Sequence, residues 1–305
     1  MSGITGRRTQ TDQFRSRLND VEARPRGVPR VTSRWFGLVA VCVGMALLPS
    51  CAACAPIPSA PDDFDGATRW FLTNSAIAND SQLLESAAKI ETAIDDAFLK
   101  MPKGTLARLK AEELTSLPAA PKSEVGKARG FYFARLLACP LARVEEFMAK
   151  PELWVAINSE IFKKSDRTYV GSATDFFDGK SDVLEWDALS HGHVLDAQYI
   201  ADQRVLLRRA KARSARSKPE SILVRQLVMR APAKFEGTDV TFNHDFQVEL
   251  FWEREPGKTL HIVGAWRELR ILTLGVSFED NFVINGDIDN MQAVDTKLEK
   301  ACATP

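Results

Sequence analysis

No run of roughly 20 apolar residues, the length a membrane-spanning helix takes, interrupts this chain of 305 residues. Glycine is thin as well. Its 17 copies are scattered, and no cluster opens a helix, so a phosphate-cradling loop is absent. No serine stands in a nucleophile-elbow pattern, which leaves an enzyme of that kind without support. Neither sign of charge is in excess: 40 Lys and Arg balance 40 Asp and Glu. The balance is uneven, with eight Arg against three acids in the first 50 residues and 32 basic against 37 acidic residues afterwards. That mildly acidic remainder excludes a global nucleic-acid footprint, which needs clustered excess Lys and Arg. Hydrophobic content of 45% and charged content of 26% are ordinary for a globular chain with one large domain or two small ones.

Residues 1–33 are rich in Arg, Thr, Ser and Pro without apolar clustering. They read as a disordered extension, or as text ahead of the true start, since Val31 would open a conventional signal. Arg7-Arg8 lies too far from the apolar run to act as a twin-arginine signal. Residues 34–50 have the form of that signal: Arg34, then the fourteen uncharged residues Trp35–Leu48, within the ~7–15 of a signal core. Leu48-Pro49-Ser50-Cys51 follows. This text resembles the lipobox of bacterial lipoprotein signal peptides. The resemblance implies a diacylglyceryl group on Cys51, a membrane anchor, and a place in the cell envelope, with Ala52 favouring the outer membrane. The other readings are an ordinary signal peptide cut near Ala53 and a buried core helix. Residues 51–66 are small, Pro-rich and polar, as suits a tether.

Residues 67–121 read as helical. Asp80 or Ser81 caps a helix carrying Leu83, Ala87, Ile90, Ile94 and Met101 at helical spacing, stopped by Pro102 and Gly104. Thr105 caps a second, with Leu106, Leu109, Leu114 and Leu117 inward, completing a helical hairpin whose stripes have the width of core faces.

From 127 to 305 the period changes. Phe131, Phe133, Arg135 and Leu137 alternate with Tyr132, Ala134, Leu136 and Ala138, a strand apolar on both faces. Pro140 opens a helix to Lys150. Val183 to Leu189 and Val194 to Asp202 read as strands, with Gly192 between them. Arg204 to Arg209 and Ile222 to Arg230 read as a hairpin with a long tip. Phe246 to Trp252 and Leu260 to Leu269 form a hairpin about Pro256-Gly257. A four-residue loop pairs Arg254 with Thr259 and puts Phe246, Val248, Leu250 and Trp252 on one face with His261, Val263 and Arg267. A one-residue slip would scramble that division. A last helix runs from about Asp287 to Cys302, with Ile288, Met291, Val294 or Asp295, and Leu298 at helical spacing.

The predicted class is therefore α+β: an N-terminal helical hairpin, a curved antiparallel sheet and a long C-terminal helix. This order, with the text from Cys139-Pro140 through Val144, Phe147 and Pro151 to Trp154, resembles the START-type helix-grip superfamily over roughly residues 128–302. The resemblance implies a cavity between sheet and last helix and supplies no catalytic residues. It also brings the end of the last helix towards the end of the first strand. Cys139 and Cys302 are then candidates for a disulfide in an oxidising compartment, the alternative being two independent buried thiols.

The ligand-pocket candidates are Phe246, Val248, Leu250, Trp252, His261, Val263 and Arg267, an apolar face with embedded charge suited to an apolar or lipid-like ligand. The tip cations Arg208, Arg209, Lys211, Arg213, Arg216 and Lys218 are candidates for contact with an anionic surface, the alternative being a solvated loop. His191, His193, His244 and His261 match no zinc spacing, and Asp175–Asp182 lacks the ligand pattern of a calcium loop, so neither metal nor cofactor is expected. Two functions remain open: an envelope lipoprotein holding an apolar ligand, and a structural lipoprotein with a filled core binding an envelope partner. An enzyme would require a pocket with convergent ionisable groups.

Overall fold

The computed structural model describes residues 56–100, 102–117, 119–194, 197–212, 219–271, 276–277 and 280–303. The N-terminal extension, the signal segment and Cys51 lie outside the described residues.

The helical hairpin is present but lies one element earlier than the spacing implies. Its arms are α1 (Phe64–Asn74) and α2 (Asp80–Ala93). Asp63 caps α1 by accepting from the Gly66 amide at 2.7 Å. Asn79, not Asp80 or Ser81, caps α2 through a reciprocal box with Gln82. The second expected helix does not form where Thr105 was read as a cap. A short α3 (Asp96–Lys100) leads into β1 (Lys103–Leu106), which pairs with the first long strand, and only a 3-10 turn at Ala111–Ser116 is helical beyond it. Exposed propensity loses here to an available sheet edge.

The remaining order is β2 (Arg129–Leu137), α4 (Leu141–Ala149), α5 (Pro151–Ile157), β3 (Phe162–Val170), α6 (Ala173–Phe177), β4 (Val183–Val194), β5 (Ala197–Lys211), β6 (Ser221–Met229), β7 (Ala233–Lys234), β8 (Val240–Glu255), β9 (Lys258–Ile271), β10 (Val276–Ser277) and α7 (Asp280–Cys302). One antiparallel sheet runs β1-β2-β9-β8-β6-β5-β4-β3, with β10 on β9 and β7 on β8. The α+β class, the antiparallel sheet and the long C-terminal helix are as expected. Gly192 falls inside β4 rather than between two strands, and α7 begins seven residues ahead of Asp287.

The register of β8 and β9 overturns the expected division of faces. Pro256-Gly257 makes a two-residue loop, with Gly257 at φ 74°, so that Glu255 opposes Lys258. Arg254 is then bulged out, and Glu253 opposes Thr259. The extra residue shifts every later pair by one. Phe246, Val248, Leu250 and Trp252 therefore share a face with Leu260, Ile262 and Trp266, and are buried together with Phe71, Leu72, Leu83 and Ile90 of α1 and α2. Gly264 permits this closure, since a Cβ there would lie 2.4 Å from Thr68 Cγ2.

The opposite face carries Asp245, Gln247, Glu249 and Phe251 beside His261, Val263, Ala265 and Arg267. It is covered by α4, α5 and α7, which contribute Val144, Phe147, Ile157 and Leu298 to one apolar cluster and Ile288 to another. Two attachments hold the C-terminal end of α7. Cys139 and Cys302 are disulfide-bonded, with Cα atoms 5.5 Å apart, and Glu299 takes the Arg135 guanidinium and the Ala138 amide.

Candidate functional site

Between the sheet and α7 lies a cavity of about 100 Å³, walled by β5, β6, β8 and β9, by α5, and by residues 287–295 of α7. Two charge clusters line it. Around Arg267, the Nε donates to Asp245 Oδ1 at 2.9 Å and an Nη donates to Asp287, while Gln247 donates to both Asp245 oxygens at 2.9 and 3.0 Å. Tyr199 stands over this group because Gly192 on the neighbouring strand has no Cβ, which would otherwise lie 2.3 Å from the ring. Around His261, the Nδ1 meets Asp295 Oδ1 at 2.9 Å, the ring stacks on Phe251 at 4.3 Å, and the Nε2 lies 3.8 Å from Glu249 Oε2. Glu249 is paired with Arg225, whose guanidinium lies 4.2 Å from the Trp154 ring centroid. Val263, Leu227, Met291 and Val294 complete an apolar stretch of wall.

Burial and charge act oppositely on these groups. Burial pushes the Asp287 carboxyl up to about 6, against the pull of Arg267. At His261 burial favours the neutral ring, but Asp295 and Glu249 more than offset it and hold the proton above the ordinary range. Arg267 keeps its charge despite burial, because Asp245 and Asp287 flank it. Burial holds the Tyr199 phenol well above its ordinary value. Among the described residues four buried polar atoms of the lining have no hydrogen-bond partner: the acceptors Asp287 Oδ2 and Asp295 Oδ2, Arg225 Nε, and His261 Nε2. Desolvated and unpaired, each costs on the order of 1–3 kcal/mol.

Of the seven pocket candidates, His261, Val263 and Arg267 line the cavity. Phe246, Val248, Leu250 and Trp252 do not; they face α1 and α2, and Trp252 Nε1 donates to Glu91 of α2 at 2.8 Å. The sequence reading missed Asp245, Glu249, Arg225 and Asp287, although Asp245, Gln247 and Glu249 alternate with apolar residues in a signal legible on β8. Asp295 appeared only as an alternative to Val294.

The tip cations also divide. Arg208 and Arg209 are not at a tip, because β5 continues to Lys211. Arg208 donates to the Ser75 carbonyl at 2.8 Å and pairs with Asp80 at 3.1 Å. Arg209 lies 3.8 Å over the Phe176 ring and pairs with Glu145 at 3.0 Å. Lys211 is exposed at the strand end, and Arg213, Arg216 and Lys218 lie outside the described residues. Among the described residues no three His, Cys, Asp or Glu side chains gather as metal ligands. His244 is committed to Glu268 and the Ser123 carbonyl, each at 2.9 Å.

No family model and no curated protein matches the chain. Solved structures do. A START superfamily protein from Mycobacterium smegmatis aligns at 12% identity over 57% of this chain and 97% of its own, with a TM-score of 0.38. A human lipid transfer and protein localization domain aligns at 8% identity over 61% and 82%, with a TM-score of 0.35. A Streptomyces aromatase/cyclase aligns at 11% identity over 58% of this chain and 94% of its own, with a TM-score of 0.36.

Proposed function

We propose that the protein is an envelope lipoprotein, anchored through Cys51, whose α+β domain holds a small ligand between the sheet and α7. The observation that carries the ligand reading is the set of four unpaired buried atoms, Asp287 Oδ2, Asp295 Oδ2, His261 Nε2 and Arg225 Nε, around one cavity. At about 100 Å³ it is small beside the ~300–1,000 Å³ of common ligand clefts. The apolar wall of Val263, Leu227, Met291 and Val294 suits the apolar body of the ligand, and the two charge clusters suit polar ends. The ionisable groups converge, but they are largely committed to one another as ion pairs. Among the described residues no Ser, Thr, Cys or Lys lines the cavity to serve as a nucleophile, so retention of a ligand fits the site better than covalent chemistry on it.

Native mass spectrometry of the protein extracted from its own membrane tests the ligand. A stoichiometric co-purified small molecule is expected, lost from an Asp295→Asn variant; a ligand-free mass would end the reading. The anchor rests on Leu48-Pro49-Ser50-Cys51. Labelled palmitate should enter the wild type and be absent from Cys51→Ala, and equal labelling of both would remove the lipoprotein half.

A second reading, an interaction protein binding an envelope partner, draws on the exposed apolar side chains Val170, Phe177 and Val183, which are 45%, 49% and 39% accessible. Crosslinking in cells that captures one partner through this end of the sheet, with an empty cavity, would favour it.

A further inference from the structure

The anchor restricts how the domain meets the membrane, on the premise of the proposed function that Cys51 carries the lipid. Composition suggests a tether as far as residue 66, but the chain is held well before that. The Ile57 carbonyl accepts from Gln82 Nε2 at 3.4 Å, the Pro58 carbonyl from Trp70 Nε1 at 2.7 Å and the Ala60 carbonyl from Lys89 Nζ at 2.5 Å. Lys89 also pairs with Asp62 at 2.7 Å. Five residues, 52–56, are left between the lipid and the docked chain, a reach of about 20 Å when fully extended. Strand β8, with 16 residues, is about 50 Å long, so the tether decides which end of the domain can touch the bilayer. Between Ile57 and Asp62 the chain passes from Gln82 to Lys89 along α2. It therefore enters from the N-terminal end of α2, where the α1–α2 turn lies.

That end is rich in exposed apolar side chains. Ile77, 55% accessible, stands on the α1–α2 turn. Arg208 ties this turn to the sheet through the Ser75 carbonyl and Asp80, and Val183 is its cross-strand partner on β4. Val170 lies on the neighbouring strand opposite Glu185, and Phe177 stands on the connection from β3 to β4. Four of the six large apolar side chains exposed among the described residues thus gather at one rim. The other two, Leu189 and Ile200, lie further along the same face of β4 and β5. Ion pairs separate the groups: Arg204 holds Glu185 at 2.7 Å and Asp187 at 2.8 Å, and Arg230 holds Asp187 at 3.0 Å and Asp202. Single scattered apolar residues are ordinary on a surface, whereas a gathered set marks a contact.

We propose that the rim of Ile77, Val170, Phe177 and Val183 rests in the interfacial layer of the bilayer that holds the Cys51 lipid, with a preference for zwitterionic over anionic headgroups. Anchoring keeps the rim at high effective concentration beside the surface, so a modest apolar area suffices. The preference follows from charge. Asp175, Asp178 and Asp182 surround Phe177 on a connection whose one cation, Lys180, is already paired with Asp178 at 2.8 Å. Anionic headgroups repel that excess.

Full-length protein labelled with palmitate and reconstituted in phosphatidylcholine vesicles tests this, with a diazirine-bearing phosphatidylethanolamine as the probe. After photolysis, tandem mass spectrometry should locate lipid adducts at Ile77, Val170, Phe177 and Val183. Leu189 and Ile200, similarly exposed, should stay unmodified. The double variant Ile77→Asp, Phe177→Asp alters two exposed side chains and should keep its fold by circular dichroism while rim adducts fall roughly tenfold. Partial replacement of phosphatidylcholine by phosphatidylglycerol should lower them about threefold at low salt, and added salt should restore them. Adducts as strong at Leu189 and Ile200 as at the rim overturn the proposal, as do adducts unchanged in the folded variant or raised by phosphatidylglycerol. Capture of a protein partner through these side chains, with no lipid adducts, overturns it in favour of the interaction reading. A palmitate-labelled protein with an unmodified rim would sink this inference while leaving the anchor standing; a protein without label would sink both.

Discussion

On β8 two sets of side chains alternate and meet opposite surroundings. Phe246, Val248, Leu250 and Trp252 enter a dry layer beneath α1 and α2, where the polar atom of Trp252 still finds Glu91. Asp245, Gln247 and Glu249, one position away on the same strand, face α7 and join ion pairs around a cavity. The first face is filled like an organic crystal, so its side chains act mainly on stability. The second leaves polar atoms unpaired in a space that packing could have closed, as the proposed ligand site requires. Under the proposed function, stability and recognition fall to opposite sides of one sheet.

The widest separation of the two faces should come from Trp266→Ala. The side chain is fully buried on the apolar face and donates to the Ala107 carbonyl at 2.8 Å, so its loss should cost about 3–5 kcal/mol in a denaturant titration. Ligand affinity at the cavity should survive; a comparable loss of both would dissolve the distinction.

Replacing Cys139 and Cys302 together by Ser acts on the other side. The bridge closes a sequence separation of 163 residues, and the chain-entropy account assigns such closures roughly 4 kcal/mol, often less in practice. Hydrogen exchange should rise in the last turns of α7 and remain slow in β8. Uniform acceleration across the sheet would show that α7 is not a separable cover.

The pH response belongs to the charged face. Asp287 rises from 3.8 to about 6 on folding, and His261 rises above its ordinary 6.5. A group that binds its proton more tightly when folded stabilises fully below its unfolded value and loses that contribution as the pH rises through the folded one. Asp287 should therefore lose its stabilising effect between about pH 4 and 6, and His261 above about 6.5. The stability difference between wild type and Asp287→Asn should change by on the order of 2 kcal/mol across the lower window. His261→Gln should flatten the upper window, and Trp266→Ala should alter neither. A pH-independent difference would contradict the assignment.

Deleting Arg254 is the mildest change and the sharpest about register. Removal of the bulged residue leaves Glu253 opposite Thr259 and costs the half-exposed ion pair to Glu91, on the order of 1 kcal/mol or less. Both faces should keep their residues, and ligand binding should persist. A collapse of either would mean that Glu253 does not stay opposite Thr259 once Arg254 is gone.

Much of this was legible in local text. The alternation at Phe131–Ala138, the proline that opens α4, the hairpin signal at Pro256-Gly257 and the spacing of the last helix are short-range patterns with local physical causes. These suffice for the α+β class and for the order of sheet and closing helix. Two matters needed contacts distant in sequence. Asp245 and Glu249 are held by Arg267 and Arg225, and His261 by Asp295, 34 residues away; no periodicity states which charges will meet. The pairing of β8 with β9 escaped the sequence for a different reason, because the alternation of β8 is legible by itself. What the sequence left open is the β9 set that joins each face, since Leu260, Ile262 and Trp266 alternate with Val263 and Leu269 and hydrophobicity does not choose between those sets. One extra residue at Arg254 does, because in a strand of period two a shift of one position exchanges the side that faces the helical hairpin with the side that faces the cavity.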